Sequence, residues 1–200
     1  MGTKKKELLK YFRTLGGVAQ YSAVIRAGFH NDTLQALVAA GHVQKLDRAI
    51  YKLTELDDLE NPDLVIAAIR APKGVVCLVS ALAFYEVTDE IPRNVDLAIP
   101  RGTRSSKIEH PPVKYYRFSP AAWKAGIETK KIGGQDVRIY SLAKTLADCF
   151  KFRNKIGTDV ARDALKTALS ERKVSPNEIM KYAGICRVVN VIKPILESLI

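Results

Sequence analysis

Residues 24–53, VIRAGFHNDTLQALVAAGHVQKLDRAIYKL, decide how the N-terminal part of the chain folds. Leu34, Leu37 and Val38 recur at i, i+3 and i+4, the spacing of one helical face. Asn31 or Asp32 offers an N-cap oxygen, and Gly41 stops the helix after about Ala40. Asp32, Thr33 and Gln35 are left facing outward near its start. The runs VQKL and IYKL, joined by Asp47-Arg48-Ala49, then read as a hairpin. Upstream, Ala23, Val24 and Ala27 mark a short helix over residues 21–27, closed by Gly28. Leu8, Leu9, Phe12 and Leu15 mark another over residues 7–15, ended by Gly16-Gly17. Three helices followed by a two-stranded hairpin is the winged helix-turn-helix order. In that order the last helix enters the major groove by its N-terminal end and the hairpin lies beside it.

The residue types fit that use in part. Asn31 and Gln35 carry amides that pair in bidentate fashion with adenine, and Thr33 reaches a phosphate or a thymine methyl. Lys4, Lys5, Lys6, Arg26, Lys45 and Arg48 neutralise phosphates. No lysine or arginine lies between Arg26 and Lys45. The reading helix is therefore not basic, and Asp32 repels phosphate unless it serves as a cap. Such a module binds DNA weakly alone and calls for a second copy or for the rest of the chain.

The whole chain has 200 residues, 47% of them apolar, enough for one large domain or two small ones. No apolar run reaches the roughly 18 residues of a membrane span. The start, MGTKKKELLKYF, lacks the apolar block of a secretory signal, so a cytoplasmic protein is expected. Net charge is +11. Residues 1–54 hold 9 Lys/Arg against 3 Asp/Glu, residues 55–60 hold four acids and no base, and the remainder is basic again. The division expected is a DNA-binding domain at 1–54, an acidic linker at 55–61 and a basic domain at 62–200, with double-stranded DNA as partner. Cys77, Cys149 and Cys186 are far apart and sit among apolar residues, which reads as buried thiols. With no CxxC or HxxxH, neither a metal site nor a cofactor is expected.

In the second domain, Asn61-Pro62-Asp63 starts a helix with Leu64, Ala67, Ala68 and Ala71 on one face. Residues 79–87 read as a second helix. NVDLAIP alternates and reads as a strand with Asn94, Asp96 and Ala98 on the side opposite Val95, Leu97 and Ile99. Residues 113–118 form another strand, and 127–131 and 136–140 flank Gly133-Gly134 as a hairpin. Helices follow over 141–152, 159–169, 176–183 and 188–199, with Lys144 and Asp148 spaced to pair at i, i+4. Overall this is an α+β chain, a winged helix-turn-helix followed by a mixed α/β domain with C-terminal helices. The segment RGTRSSKIEH, 101–110, reads as a mobile basic loop in which Arg101, Arg104 and Lys107 are candidate phosphate contacts.

An enzyme reading competes. Asp96 in one strand and Glu128-Thr129-Lys130 in another follow the Asp…Glu-x-Lys pattern of Mg²⁺-dependent nucleases. Two carboxylates would hold the metal and a lysine would steady the hydroxide or the developing phosphate charge. Glu-x-Lys arises by chance in any charged strand, so the non-enzymatic reading is preferred. No serine or cysteine has a recognisable histidine partner.

The run GGVAQYSAVIRAGFHNDTLQALVAAGHVQKLDRAIYKL resembles the N-terminal domain of the AbiEi family, antitoxins of bacterial type IV toxin–antitoxin systems. GVVCLVSALAFYEVTDEIPRNVDLAIPRGTR and IYSLAKTLADCFKFRNKIG resemble segments of that family's second domain, so the likeness spans about residues 14–170. The family pattern carries a glycine in the wing turn where this chain has Ala49, and a tyrosine such as Tyr51 at the wing's end. If Ala49 must be left-handed, the alanine costs about 1 kcal/mol. The resemblance implies a repressor that binds the promoter of its own operon. It also implies an antitoxin that counters a nucleotidyltransferase-like toxin without a stable complex.

Overall fold

Leu8, Leu9 and Phe12 fall on one side of a helix, and their burial sets the first element, α1 (Thr3–Thr14). In the computed structural model, which describes residues 2–55 and 60–199, this helix starts four residues before the apolar spacing does. The Lys4–Lys6 run is thus part of the helix. There follow β1 (Val18–Gln20), α2 (Tyr21–Arg26), α3 (Asn31–Ala39), β2 (Val43–Asp47) and β3 (Ile50–Leu53). The three strands form an antiparallel sheet in the order β1-β3-β2. β1 has no counterpart in the sequence reading, because three residues are too short to show a period. It forms because β3 offers a second edge, with Val18 paired to Lys52 and Gln20 to Ile50. Leu8, Phe12, Val24, Leu34 and Leu37 are fully buried together with Val43 and Leu53.

The hairpin turn bears out the condition raised for Ala49. Its φ is +58°, the left-handed region, and the register shifts between Lys45 and Asp47. The Tyr21 N–H donates to the Ala49 carbonyl at 2.8 Å, tying this turn to the start of α2.

The chain forms two compact units, Met1–Ile66 with Lys130–Val137, and Ala67–Thr129 with Arg138–Ile200. This differs from the expected 1–54, 55–61 and 62–200 division. Four residues of the expected acidic linker, 56–59, lie outside the described residues. Glu55 is paired with Arg13 at 3.0 and 3.2 Å. Within the first unit, Gly16 (φ +71°) abuts Gly134 (φ +72°) so closely that a Cβ on Gly16 would lie 2.3 Å from the Gly134 Cα. The Gln135 side-chain amide donates to the carbonyls of Leu15 and Val18, the latter at 3.0 Å.

The rest of the chain runs α4 (Pro62–Arg70), β4 (Val75–Val76), α5 (Leu78–Phe84), β5 (Val95–Pro100), β6 (Val113–Phe118), α6 (Pro120–Lys124), β7 (Ile127–Ile132) and β8 (Gln135–Tyr140). It ends with α7 (Leu142–Lys151), α8 (Arg153–Ile156), α9 (Thr158–Ser170), α10 (Pro176–Cys186) and α11 (Val189–Leu199). Five strands make one mixed sheet, β6-β5-β4-β8-β7, with β5 and β6 parallel and β4 antiparallel to β5. β4, α6 and α8 are too short to have shown a period. α7 is the core helix. Ser141 caps it by accepting from the Lys144 N–H, and every residue from Leu142 to Phe150 is buried. A capping box, Ser175 with Glu178, starts α10. The described residues are therefore mixed α/β with two sheets. Among the described residues, no helix is long and apolar enough to cross a membrane.

Candidate nucleic-acid interface

The start of α3 is built by what its apolar face buries. Leu34 and Leu37 are fully enclosed, which turns Asn31, Asp32 and Gln35 to solvent and leaves Thr33 half-buried. The N-cap is His30, one residue before the position expected, and its side chain makes no capping bond. Asn31 is therefore the first helical residue, not the cap. Asp32 lies in the first turn, where its charge complements the helix dipole. The Gln35 Nε2 donates to the Asn31 Oδ1 at 3.3 Å, so the two amides are held one turn apart as a single polar surface. The helix start also carries partial positive charge, which offsets in part the lack of lysine or arginine on this helix.

The candidate phosphate contacts lie on three other elements of the same unit. Arg26 ends α2, is exposed, and donates from Nε to the Ser22 carbonyl at 3.3 Å. Lys45 is exposed on β2, opposite the buried Tyr51. Arg48 is exposed beside Ala49 in the hairpin turn. Lys4 and Lys6 are exposed and Lys5 is half-buried in the first turn of α1. Successive helical residues point about 100° apart, so these lysines do not form one flat basic cluster. Cations at a helix start also oppose the dipole.

In the second unit, Arg101, Arg104 and Lys107 are exposed in the loop between β5 and β6. This loop, read from sequence as mobile, is fastened by two side chains of β6. The Arg117 guanidinium donates to the Thr103 carbonyl at 2.8 Å, and the Tyr115 hydroxyl to the Ser106 carbonyl at 2.9 Å.

The nuclease pattern is not assembled. Asp96 lies on β5 and Glu128 on β7, with β4 and β8 between them in the sheet. Three strand spacings put them roughly 14 Å apart, whereas one Mg²⁺ binds its ligands at about 2.1 Å. Nor does Asp96 stand on an open strand face. It is 3% exposed, accepts from the Asn94 amide at 2.8 Å, and its backbone N–H donates to the Ser80 hydroxyl at 2.9 Å. Burial pushes its carboxyl up to about 6, against the pull of Lys114 and the hydrogen bonds from Asn94 and the backbone. Glu128 accepts instead from the Tyr85 hydroxyl, at 3.4 Å.

One buried polar network was only half visible in the sequence. Lys144 and Asp148 form the expected i, i+4 pair, but at 0% and 1% exposure. The ammonium stands 4.2 Å from the centre of the Tyr140 ring and 4.9 Å from that of Phe118. The Cys186 thiol donates to the other Asp148 oxygen at 3.2 Å. Burial raises the Asp148 carboxyl to about 6, opposed by Lys144. The Cys186 thiol is pushed up to about 12, first by burial and then by Asp148. Cys77 and Cys149 are fully buried and likewise raised by that burial, so all three cysteines are the buried thiols expected.

The chain has the fold of a mycobacterial protein. The RV2827C protein from Mycobacterium tuberculosis, known from its crystal structure, superposes with a TM-score of 0.57 over 92% of this chain and 72% of that one, at 12% identity. At that identity the likeness concerns the fold alone. No family model matches the sequence, and neither does any curated protein.

Proposed function

We propose that this protein is a DNA-binding transcriptional repressor and antitoxin of the AbiEi type. It acts in the cytoplasm, binds the promoter of its own operon and counters a nucleotidyltransferase-like toxin without a stable complex. In this reading the first unit is a winged helix-turn-helix, with α3 in the major groove and the β2–β3 hairpin as the wing. The observation that carries it is the exposed Asn31–Gln35 amide pair at the first turn of α3. Its free donors and acceptor suit adenine N7 and N6, and the apolar side of the same helix is spent on the core. Asn31, Thr33 and Gln35 are the base readers, and Lys4, Lys5, Lys6, Arg26, Lys45 and Arg48 are the phosphate anchors. The antitoxin role rests on the family resemblance of the sequence.

Fluorescence anisotropy with upstream operon DNA and with random duplex, each at two salt concentrations, tests the reading. Gln35→Ala is expected to lose roughly 1–3 kcal/mol of discrimination on the specific site and little on random DNA. Arg26→Ala is expected to weaken both alike and to lower the salt slope by about 1. Equal losses on both DNAs for Gln35→Ala would remove the reading role.

A further inference from the structure

At the end of β5 the backbone turns through Gly102, at φ +82°. The loop after it and the 71–74 turn that leads into β4 together line an open cleft of about 530 Å³. That volume lies within the range of small-molecule sites. Ile99 and Tyr115 give the cleft an apolar surface, Lys73 comes from the turn, and Thr103, Arg104 and Ser105 come from the loop. Two cations and no carboxylate line it. Neither Lys73 nor Arg104 is paired with an acid among the described residues.

The walls are fixed rather than loose. Arg117 and Tyr115 hold the loop by its carbonyls at Thr103 and Ser106, and the Thr103 N–H donates to the Pro100 carbonyl at 3.1 Å. On the other wall, a Cβ on Gly74 would stand 3.0 Å from the Ala71 carbonyl oxygen, so the turn presenting Lys73 is tightly packed there. The Tyr115 ring is held by its own hydroxyl bond, which leaves a prepositioned aromatic surface at the edge of a cationic, hydroxyl-bearing pocket.

We propose that this cleft binds a nucleoside phosphate, either free or at the end of a polynucleotide chain. The base stacks on Tyr115, as bases do on aromatic side chains in single-strand readers. Lys73 and Arg104 take the phosphate by charge-assisted hydrogen bonds, and the Thr103 and Ser105 hydroxyls take the remaining phosphate or sugar oxygens. The inference concerns the second unit and stands apart from the proposed reading of duplex DNA by α3.

The test is calorimetric titration of the full chain with ADP, adenosine, inorganic phosphate and a 5′-phosphorylated trinucleotide. ADP is expected to bind saturably, about tenfold or more tighter than adenosine or phosphate alone. Lys73→Ala combined with Arg104→Ala is expected to weaken ADP by roughly tenfold or more. Both side chains are exposed, so the thermal melt should be unchanged and should report that the variant is folded. Tighter binding of the trinucleotide than of ADP assigns the site to chain ends, and the reverse assigns it to free nucleotides. Absence of saturable ADP binding, equal binding of ADP and phosphate, or wild-type affinity in the double variant would each overturn the proposal. Specific duplex binding, measured in parallel, should survive the double substitution, so failure here is distinct from failure of the repressor reading.

Discussion

β2 and β5 are of nearly equal length, 5 and 6 residues, yet they end in opposite environments. β2 buries Val43 and leaves Lys45 in solvent. β5 is buried on both faces from Val95 to Ile99, Asp96 included. Alternation in sequence anticipates a strand with one wet face; β5 keeps none, and β2 passes from buried Val43 to exposed Lys45 along one and the same face. A strand's own residues state which side is apolar. Whether the polar side meets water depends on a second layer supplied from elsewhere in the chain. The lysines repeat the contrast, Lys45 being exposed on its strand and Lys144 sealed inside α7.

The largest effect should come from breaking the buried side of that contrast. Asp148→Ala leaves an ammonium enclosed without its counter-charge, which is expected to cost roughly 3–5 kcal/mol. The double change Lys144→Met, Asp148→Leu should recover much of this loss, whereas Lys45→Ala should stay within about 0.5 kcal/mol of wild type. Urea unfolding midpoints decide it, and an Asp148→Ala midpoint equal to that of Lys45→Ala would erase the distinction.

The next effect is a pH dependence. The folded Asp96 carboxyl titrates at about 6 instead of its ordinary 3.8. The folded chain therefore holds this proton more tightly than the unfolded chain does. Stability contributed here is present below about pH 4 and is lost as pH rises toward about 6, by up to ~3 kcal/mol. Asp148, raised in the same way, adds to the slope. Asp96→Asn should flatten the fall in urea midpoint between pH 4 and 6 to the share left by Asp148, and an unaltered slope would count against burial as its cause.

The smallest effect lies on the exposed side. Ala49→Gly relieves a left-handed alanine in the β2–β3 turn and should raise stability by about 1 kcal/mol, less the added freedom of glycine in the unfolded chain. A thermal melt that falls would show that the turn tolerates its methyl without strain.

Much of the fold was legible because long elements announce their period. α3, β6 and the β7–β8 hairpin lie within a residue or two of their expected places, and Ala49 behaves as its place in the hairpin turn demanded. β1 and β4 were not legible, having three and two residues and existing only because neighbouring strands offer edges. For the candidate interface, the outward Asp32 and Gln35 followed from the apolar face, whereas Thr33, expected outward as well, is half-buried, and neither the Asn31–Gln35 hydrogen bond nor the shift of the cap from Asn31 to His30 was legible. The cleft beside the 101–107 loop was hidden for another reason. Lys73 and Arg104 are far apart in the chain, and no local pattern records that the two turns share a pocket.

The Gly16–Gly134 contact bears on how this protein can be dissected. Severing the chain after Ile66 would not yield a self-sufficient amino-terminal piece, since residues 130–137 would be left behind with the remainder. The Leu15 and Val18 carbonyls would lose the amide that satisfies them, and the backbone around Gly16 would lose its neighbour. A weak operator signal from such a truncation would reflect a missing splint as much as a missing affinity.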